Sequence, residues 1–357
     1  MNNKKILTLL VIALSLSAFS TSRNKPTLSK TTEDSIQDSE EKHLKNIKQL
    51  TSGGENAECY FSFDGTKFSF QSTRGDSKCD QIYTMFTDGS DQKLVSTGKG
   101  RTTCSYYYPD NKTILFASTH LGGDECPPRP DFSKGYVWAL YDTYDIFTVN
   151  EDGTGLNQLT TEKGYDAEAT ISPVGDLIVF TSTRNGDIDL YTMNLDGSDL
   201  KQITSEPGYD GGAFYSYDGA KIVYRRTTFQ NEEEIEKYQE LLAQGLIRPT
   251  ILDIWVMDAD GNNKIQVTNN GAANFAPYWF PDGKRILFCS NIADPLGRNF
   301  DIYKIDLDGS GLERITMHEE FDGFPMFSPD GTKLVFCSNR NNVHKGETNV
   351  FICDWAD

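Results

Sequence analysis

The amino-acid sequence predicts an all-β fold, a six-bladed β-propeller of four-stranded blades, and two periodic signals carry that prediction. The first signal is a tight-turn motif, written "PDG" in its clearest copies, that recurs between apolar runs. Pro and Gly favour the backbone angles of a hairpin turn, and Asp caps its own backbone. Six residues after the start of each turn stands an aromatic residue within an apolar run. The turns begin at Asp64, Asp110, Val174, Asp218, Asp282 and Asp330.

The second signal is a further strand in every unit, which in five units leads through an Asp-Gly hairpin into a fourth strand. Such a unit, with strands a to d from the centre outward, cannot bury both faces of its sheet alone, so the units must stack around an axis. The sixth unit ends at Asp357 without a strand d, whereas residues 44–51, "LKNIKQLT", match strand d of the other units. We therefore expect an N-terminal strand to close the ring and leave no open sheet edge.

The repeats "SPDGTKLVFCSNR", "YPDNKTILFASTH" and "FPDGKRILFCSN" resemble the WD40-like PD40 repeats of the TolB family of six-bladed propellers. The resemblance covers residues 44–357 and implies the fold, but it implies little about activity, because propellers host many unrelated functions. The segment before residue 44 is too short for the α/β domain that precedes the propeller of TolB. We therefore do not carry over the role of TolB in the Tol-Pal system.

The N-terminus has the features of a secretory signal. Residues 1–20 combine a basic start, an apolar stretch and a small-x-small cleavage site. The apolar stretch is short for a membrane span, and no Cys stands near the cleavage point to carry a lipid anchor. Residues 21–43 form a polar segment that we expect to be a flexible leader. These features predict a periplasmic or extracellular protein that is not embedded in a membrane.

Composition narrows the class of partner. The formal net charge of −18 disfavours nucleic acid, because a phosphate backbone is bound through a positive field, and it favours cations or basic partners. We expect a monomer that needs no cofactor and binds an envelope protein, a peptide or a glycan.

Seven cysteines in an exported chain suggest disulfides. Two of them stand at the start of strand a in blades 1 and 2, and two more stand in the loop between strands b and c of the same blades. Both places lie on one face of a propeller. The repeat register therefore predicts pairing within each blade, Cys59 with Cys79 and Cys104 with Cys126.

The two long insertions fall on that same face. They occupy about residues 119–144 and 228–252, both between strands b and c, and ordered loops on a rigid scaffold often carry binding sites. The second insertion predicts a helix from about Glu232 to Gln244, with Asn231 as its N-cap. Its apolar stripe would pack on the propeller rim, or the helix would serve as a lid or as a partner-binding helix.

Register also places a set of polar residues around the mouth of the central channel on this face. Carboxylates there suit calcium, while interleaved guanidinium groups favour a zwitterionic or carboxylate-bearing ligand. Alternatively, each Arg pairs with an Asp of the next blade and locks the ring. Glu58 would lie in or near the channel as well. The predicted ligand-binding residues are Arg74, His120, Asp166, Glu168, Arg184, Asp210, Asp322 and Arg340.

Signatures of the common hydrolases, zinc enzymes and phosphate-binding loops are absent from the sequence. The favoured hypothesis is a non-catalytic binding or interaction propeller with its ligand at the channel mouth. The first alternative is a propeller enzyme, a polysaccharide lyase or glycoside hydrolase, that uses the same mouth. The second alternative is an accessory propeller related to those of peptidases.

Overall fold

The computed structural model describes residue 36 and residues 38–294 and 296–357, and within them it confirms the six-bladed propeller. Six antiparallel sheets of four strands each form the blades. The predicted signal segment lies outside the described residues.

The strands of the blades follow one another along the chain. Blade 1 comprises β2 Glu55–Phe61, β3 Lys67–Thr73, β4 Gln81–Phe86 and β5 Lys93–Leu94. Blade 2 comprises β6 Thr102–Tyr107, β7 Thr113–Ser118, β9 Asp145–Asn150 and β10 Asn157–Gln158. Blade 3 comprises β11 Asp166–Ile171, β12 Leu177–Ser182, β13 Asp189–Asn194 and β14 Lys201–Gln202. Blade 4 comprises β15 Asp210–Tyr215, β16 Lys221–Arg226, β18 Asp253–Asp258 and β19 Ile265–Gln266. Blade 5 comprises β20 Asn274–Trp279, β21 Arg285–Ser290, β22 Asp301–Asp306 and β23 Glu313–Arg314. Blade 6 comprises β24 Asp322–Phe327, β25 Lys333–Ser338, β26 Asn349–Trp355 and β1 Leu44–Gln49.

The N-terminal strand closes the ring as predicted. Strand β1 pairs antiparallel with β26, so that Leu44 lies opposite Trp355 and Gln49 opposite Phe351. Residues just before β1 contact blade 6 as well, since the buried Glu41 carboxylate accepts hydrogen bonds from the Arg340 guanidinium. The segment that includes β1 is therefore held to blade 6 by a sheet and by buried polar contacts.

A repeated hydrogen bond joins strands c and d in all six blades. The second residue of strand c donates its N–H to a hydroxyl at the outer strand, and in blade 6 that hydroxyl comes from the N-terminal segment. The six pairs are Ile82 to Ser96, Ile146 to Thr160, Leu190 to Thr204, Ile254 to Thr268, Ile302 to Thr316 and Val350 to Thr51. Thr51 thus completes the last blade with the same bond that the other blades make internally.

The two insertions meet above the ring. The blade 4 insertion forms helix α1, Glu232–Leu242, and the Asn231 side chain caps it by accepting from the N–H of Glu234. The blade 2 insertion holds two 3₁₀ turns, His120–Gly122 and Phe132–Lys134. Strand β8 of this insertion, Trp138–Ala139, pairs antiparallel with β17 of the other, Leu246–Ile247.

The helix packs on the propeller rather than standing free. Tyr238 of α1 is buried in an apolar cluster with Ile188, Tyr209 and Leu252, and its hydroxyl donates to Asp187 Oδ1 at 2.5 Å. We call the two joined insertions the canopy. The canopy is anchored on blades 3 and 4, and it lies over one end of the central channel.

Candidate functional site

The three predicted arginines, Arg74, Arg184 and Arg340, contact side chains of their own blades and not of the next blade. Arg184 Nη2 donates to Asp166 Oδ2 at 2.8 Å, and the guanidinium lies over the rings of Phe180 and Tyr191 at 5.3 and 5.1 Å. Arg74 lies over the equivalent aromatic pair of blade 1. The hypothesis of pairing between neighbouring blades is therefore wrong for Arg184, because strands a and b of one blade bring the two charges together.

The equivalent position in blade 6 is fully buried. Arg340 donates to both oxygens of Asp322 at 3.0 Å and to both oxygens of Glu41 at 3.0 and 2.9 Å. All three side chains have no solvent-exposed surface. This cluster joins the segment just before β1 to blade 6.

Asp210 in blade 4 has a weaker set of contacts. Its carboxylate is buried, and the nearest cation is Arg226, whose Nε lies 3.7 Å away. Burial raises the pKa of Asp210 to about 7, although the Arg226 charge opposes the shift. The geometry of this pair differs from that in blade 3 because Arg226 occupies the place of Ser182 at the end of strand b.

His120 begins the 3₁₀ turn after strand b of blade 2. Its Nδ1 lies 2.9 Å from Ser118 Oγ, and its ring contacts Phe147 at a centroid distance of 4.5 Å. Burial lowers the pKa of His120, and the charge of Lys99 lowers it further.

A cavity of about 870 Å³ fills the channel mouth beneath the canopy. Of the eight predicted residues, Glu168 lines it, and the other seven lie outside its lining. The cavity is framed by a β-bulge in strand a of every blade, at which the residue has a φ between 47° and 58°. These six residues stand six positions before each turn start and all line the cavity: Glu58, Cys104, Glu168, Gly212, Ala276 and Phe324.

The six bulge residues share an uncommon backbone conformation with a positive φ. Five of the six residues are not Gly, and a positive φ is uncommon for such residues. Backbone strain of this kind is often stored at functional sites. In the sequence the six residues stand at the same distance from each turn, but the alternation expected of a regular strand does not reveal that a bulge lies there.

Glu168 is held as a carboxylate on one side of the cavity. Its oxygens accept hydrogen bonds from Tyr209 Oη at 2.6 Å, from Thr181 Oγ1 at 2.9 Å and from the Gly212 N–H at 2.8 Å. Burial opposes ionisation, but the charge of Arg225 and these hydrogen bonds outweigh it and lower the pKa of Glu168. This carboxylate is therefore a fixed negative charge.

Arg225 connects this carboxylate to the canopy. The guanidinium donates to both Glu168 and Tyr209, and it lies over the rings of Tyr209 and Trp138 at 4.7 and 5.7 Å. Trp138 belongs to canopy strand β8. Neither Arg225 nor Trp138 occupies a position that the repeat register singles out, so sequence reasoning missed both.

Glu58 is a carboxyl group of the cavity lining with one unpartnered oxygen among the described residues. Among the described residues, its Oε2 is buried and accepts no hydrogen bond. Burial raises the pKa of Glu58 to about 7, and a hydrogen bond with the Cys104 thiol opposes that shift. The charges of Glu168 and Asp80 raise the pKa as well, while Arg225 lowers it. Glu58 therefore changes charge near neutral pH.

The remaining walls of the cavity are apolar on blades 5 and 6 and carry arginines on blade 2. Blades 5 and 6 contribute phenylalanines in mutual contact, with centroid distances of 4.9 Å between Phe275 and Phe300 and 5.6 Å between Phe275 and Phe324. Arg101, from the start of blade 2, and Arg129, from its insertion, line the cavity as well. The cavity thus combines an apolar wall with cationic groups.

The predicted disulfides are wrong in their pairing. Cys79 is bonded to Cys126, with their Cα atoms 6.0 Å apart, while Cys59 and Cys104 are free thiols. Cys59 is buried between blades near Cys337, and Cys104 lies on the bulge facing the cavity. The bond instead joins the b-to-c loops of neighbouring blades, because the blade 1 loop meets the blade 2 insertion.

Metal and membrane features are limited in the described part of the chain. No group of three or more His, Cys, Asp or Glu side chains there is arranged to hold a metal ion. None of the helices described is long and apolar enough to cross a membrane.

Two solved TolB structures resemble the whole ring. A putative TolB from Agrobacterium tumefaciens superimposes with a TM-score of 0.53 at 16% identity, covering 87% of this chain and 97% of that one. TolB from Acinetobacter baumannii gives a TM-score of 0.53 at 18% identity, covering 84% of this chain and 63% of that one. Hydrazine synthase of Kuenenia stuttgartiensis gives 0.53 at 16% identity, over 74% of this chain and 39% of that one. At these identities the likeness concerns the fold.

The sequence itself matches a family model. The model of the TolB β-propeller domain, PD40, matches residues 129–246 and 238–356. Because the two matches together span more than half of the chain, the chain belongs to the TolB β-propeller family.

Proposed function

We propose that this chain is an exported, non-catalytic binding propeller whose ligand lies in the cavity at the channel mouth. The observation that carries the proposal is the cavity of about 870 Å³, a volume typical of ligand sites, beneath a canopy that is tied to the ring. The ordered contacts among Glu168, Arg225 and Tyr209 support a preorganised site.

The chemistry of the cavity supports binding over turnover. Most glycoside hydrolases use two carboxyl groups that exchange protons or attack the sugar. Here the ion pair with Arg225 and three hydrogen bonds engage the Glu168 carboxylate, so it is not available for either role. A lyase needs a base to abstract a proton. Tyr209 is a poor base here, because burial raises its pKa well above its ordinary value and its hydroxyl donates a hydrogen bond to Glu168.

One observation favours the alternative of a propeller enzyme that uses the same mouth. Glu58 has a pKa of about 7 and an unpartnered oxygen, and a group that titrates near the working pH is suited to general acid-base catalysis. The enzyme hypothesis therefore rests on Glu58, and Glu58→Gln is the variant that tests it.

Export is part of the proposal. The Cys79–Cys126 disulfide supports it, because disulfides persist in oxidising compartments such as the periplasm. The partners that we propose are those of the cell envelope, namely a protein segment, a peptide or a glycan that places one end in the cavity.

The test is a thermal-shift screen of the full chain against glycans, envelope peptides and calcium. The hits are then repeated on Ala276→Phe, which adds bulk at a bulge position where blade 6 naturally carries Phe324. We expect Ala276→Phe to abolish the stabilisation by the ligand. Val174→Phe, in an exposed turn far from the cavity lining, is the matched control and should keep it.

A ligand whose stabilisation survives Ala276→Phe would refute the site. Turnover of a polymer by the purified chain, lost in Glu58→Gln, would replace the binding function with the enzymatic alternative.

A further inference from the structure

The charge of the cavity lining differs from that of the whole chain. The chain carries a net charge of −18, yet among the residues that the structure describes neither Arg101 nor Arg129 forms an ion pair. Arg101 Nε is buried and has no hydrogen-bond partner. A buried guanidinium nitrogen without an acceptor is costly, and Arg101 lines the cavity, so a ligand bound there can supply an acceptor to its guanidinium group.

Both arginines line the same cavity, and the charges of both act on one canopy residue. Both charges act on Tyr141, whose hydroxyl donates to the Pro128 carbonyl at 2.6 Å. Arg101 comes from the propeller and Arg129 from the canopy, so a ligand group bound by both would bridge the ring and its cover. Guanidinium groups bind carboxylates through paired hydrogen bonds.

The apolar wall supplies the second half of the recognition. Phe275, Phe300, Phe321 and Phe324 form a continuous set of contacts on blades 5 and 6. Aromatic side chains favour offset or edge-to-face contact with flat ligand surfaces. The same cavity therefore offers arginines for an anion and phenylalanines for a ring.

From this juxtaposition we infer that the mouth cavity binds a ligand in which a carboxylate is attached to a ring, with the carboxylate at Arg101 and Arg129 and the ring against the phenylalanine wall. The inference rests on the proposed function and names the chemical class of its ligand. An aromatic acid and a uronic acid share this chemistry, and binding tests distinguish them.

Glu58 gives the site a dependence on pH. The charged and titratable groups that face it are Cys104, Glu168, Asp80 and Arg225. When Glu58 is ionised it repels a carboxylate, and when it is protonated it can donate a hydrogen bond. Glu58 lines the same cavity as Arg101, and its buried Oε2 has no hydrogen-bond partner among the described residues, so with a pKa of about 7 its ionisation should make a carboxylate ligand bind less tightly at pH 8 than at pH 6.

The experiment is a calorimetric or NMR titration of the full chain with two matched pairs of probes. Phenylacetate is compared with phenylacetamide, and glucuronate with glucose. We expect at least one acid to bind tenfold or more tightly than its neutral partner, and the pair that shows the difference identifies the source. Arg101→Gln, or Arg129→Gln if the first variant is unstable, should reduce the acid to the level of its neutral partner.

Two controls keep the result specific. Arg285→Gln removes the same charge at a residue outside the cavity lining that pairs with Asp282, and it should leave binding unchanged. Glu58→Gln should remove the difference between pH 6 and pH 8.

Equal affinity for acid and neutral probes, no binding of either acid, or binding that Arg101→Gln and Arg129→Gln leave intact would overturn the inference. If neutral or cationic ligands bind and Ala276→Phe blocks them, the proposed function stands and the ligand class falls. If no ligand responds to Ala276→Phe, the proposed function falls with it.

Discussion

Removal of the Glu41 carboxylate should destabilise the whole ring, because Glu41 links the N-terminal segment to blade 6. In the buried cluster, Glu41 accepts two hydrogen bonds from Arg340 and a third from the N–H of Met317. Each charge-assisted bond contributes about 1.5 kcal/mol or more, so the two bonds to Arg340 give about 3 kcal/mol. Asp322 still pairs with Arg340 after the change, which keeps the expected loss near this figure.

The assay is urea unfolding of Glu41→Ala followed by tryptophan fluorescence. We expect the free energy of unfolding to fall by about 3 kcal/mol, with a lower midpoint and an unchanged slope. Glu40→Ala is the matched control, since Glu40 is exposed and should change the free energy by less than about 0.5 kcal/mol. A loss of less than about 1 kcal/mol in Glu41→Ala would refute the role of this cluster in closing the ring.

Three further predictions concern the ring and its cover. Replacing Cys79 and Cys126 together by Ser should cost about 4 kcal/mol in thermal or urea unfolding, from the loop entropy of a separation of 47 residues; a variant as stable as the oxidised parent would contradict this. Asp210 has a pKa of about 7 in the fold against 3.8 ordinarily, so its ionisation costs stability as pH rises from about 4 to 7. Asp210→Asn should therefore stabilise the chain by at most about 4 kcal/mol at pH 8 and little at pH 4, and equal effects at both pH values would exclude the burial mechanism. Thr51→Val removes the hydroxyl that accepts from the Val350 N–H, and it should lower the free energy of urea unfolding by about 1–3 kcal/mol; an unchanged value would show that this bond does not stabilise the closure.

The fold was predictable because each blade repeats the same turn chemistry. The motif at Asp330 and its upstream copies set the number of blades, and the likeness of residues 44–51 to the other outer strands indicated the closure. Local sequence and global topology agree at these places. Neither prediction needed contacts between segments that are distant in the repeat.

The site was harder to predict because side-chain direction depends on the bulge. Register predicted Asp166 and Arg184 at the channel mouth, whereas the two side chains pair with each other within blade 3 and lie outside the cavity lining. The cavity is instead lined by the bulge positions, such as Glu58 and Glu168, where one extra residue breaks the alternation of the strand.

The remaining parts of the site come from segments without repeat symmetry. Trp138 reaches Arg225 from an insertion, and Cys126 reaches Cys79 from the same insertion. A pairing within blades was the natural expectation from equivalent positions. The contact between a loop and an insertion is set by the path of the insertion, which the repeat does not determine.

The most direct test of the cavity as the binding site is a crystal structure of the full chain with the tightest-binding acid probe. We predict that the probe lies beneath the canopy, with its carboxylate at Arg101 and its ring against Phe275 and Phe324. A probe bound on the opposite face, or on the outer surface of the canopy with the cavity free of it, would contradict the binding function that we propose for the channel mouth.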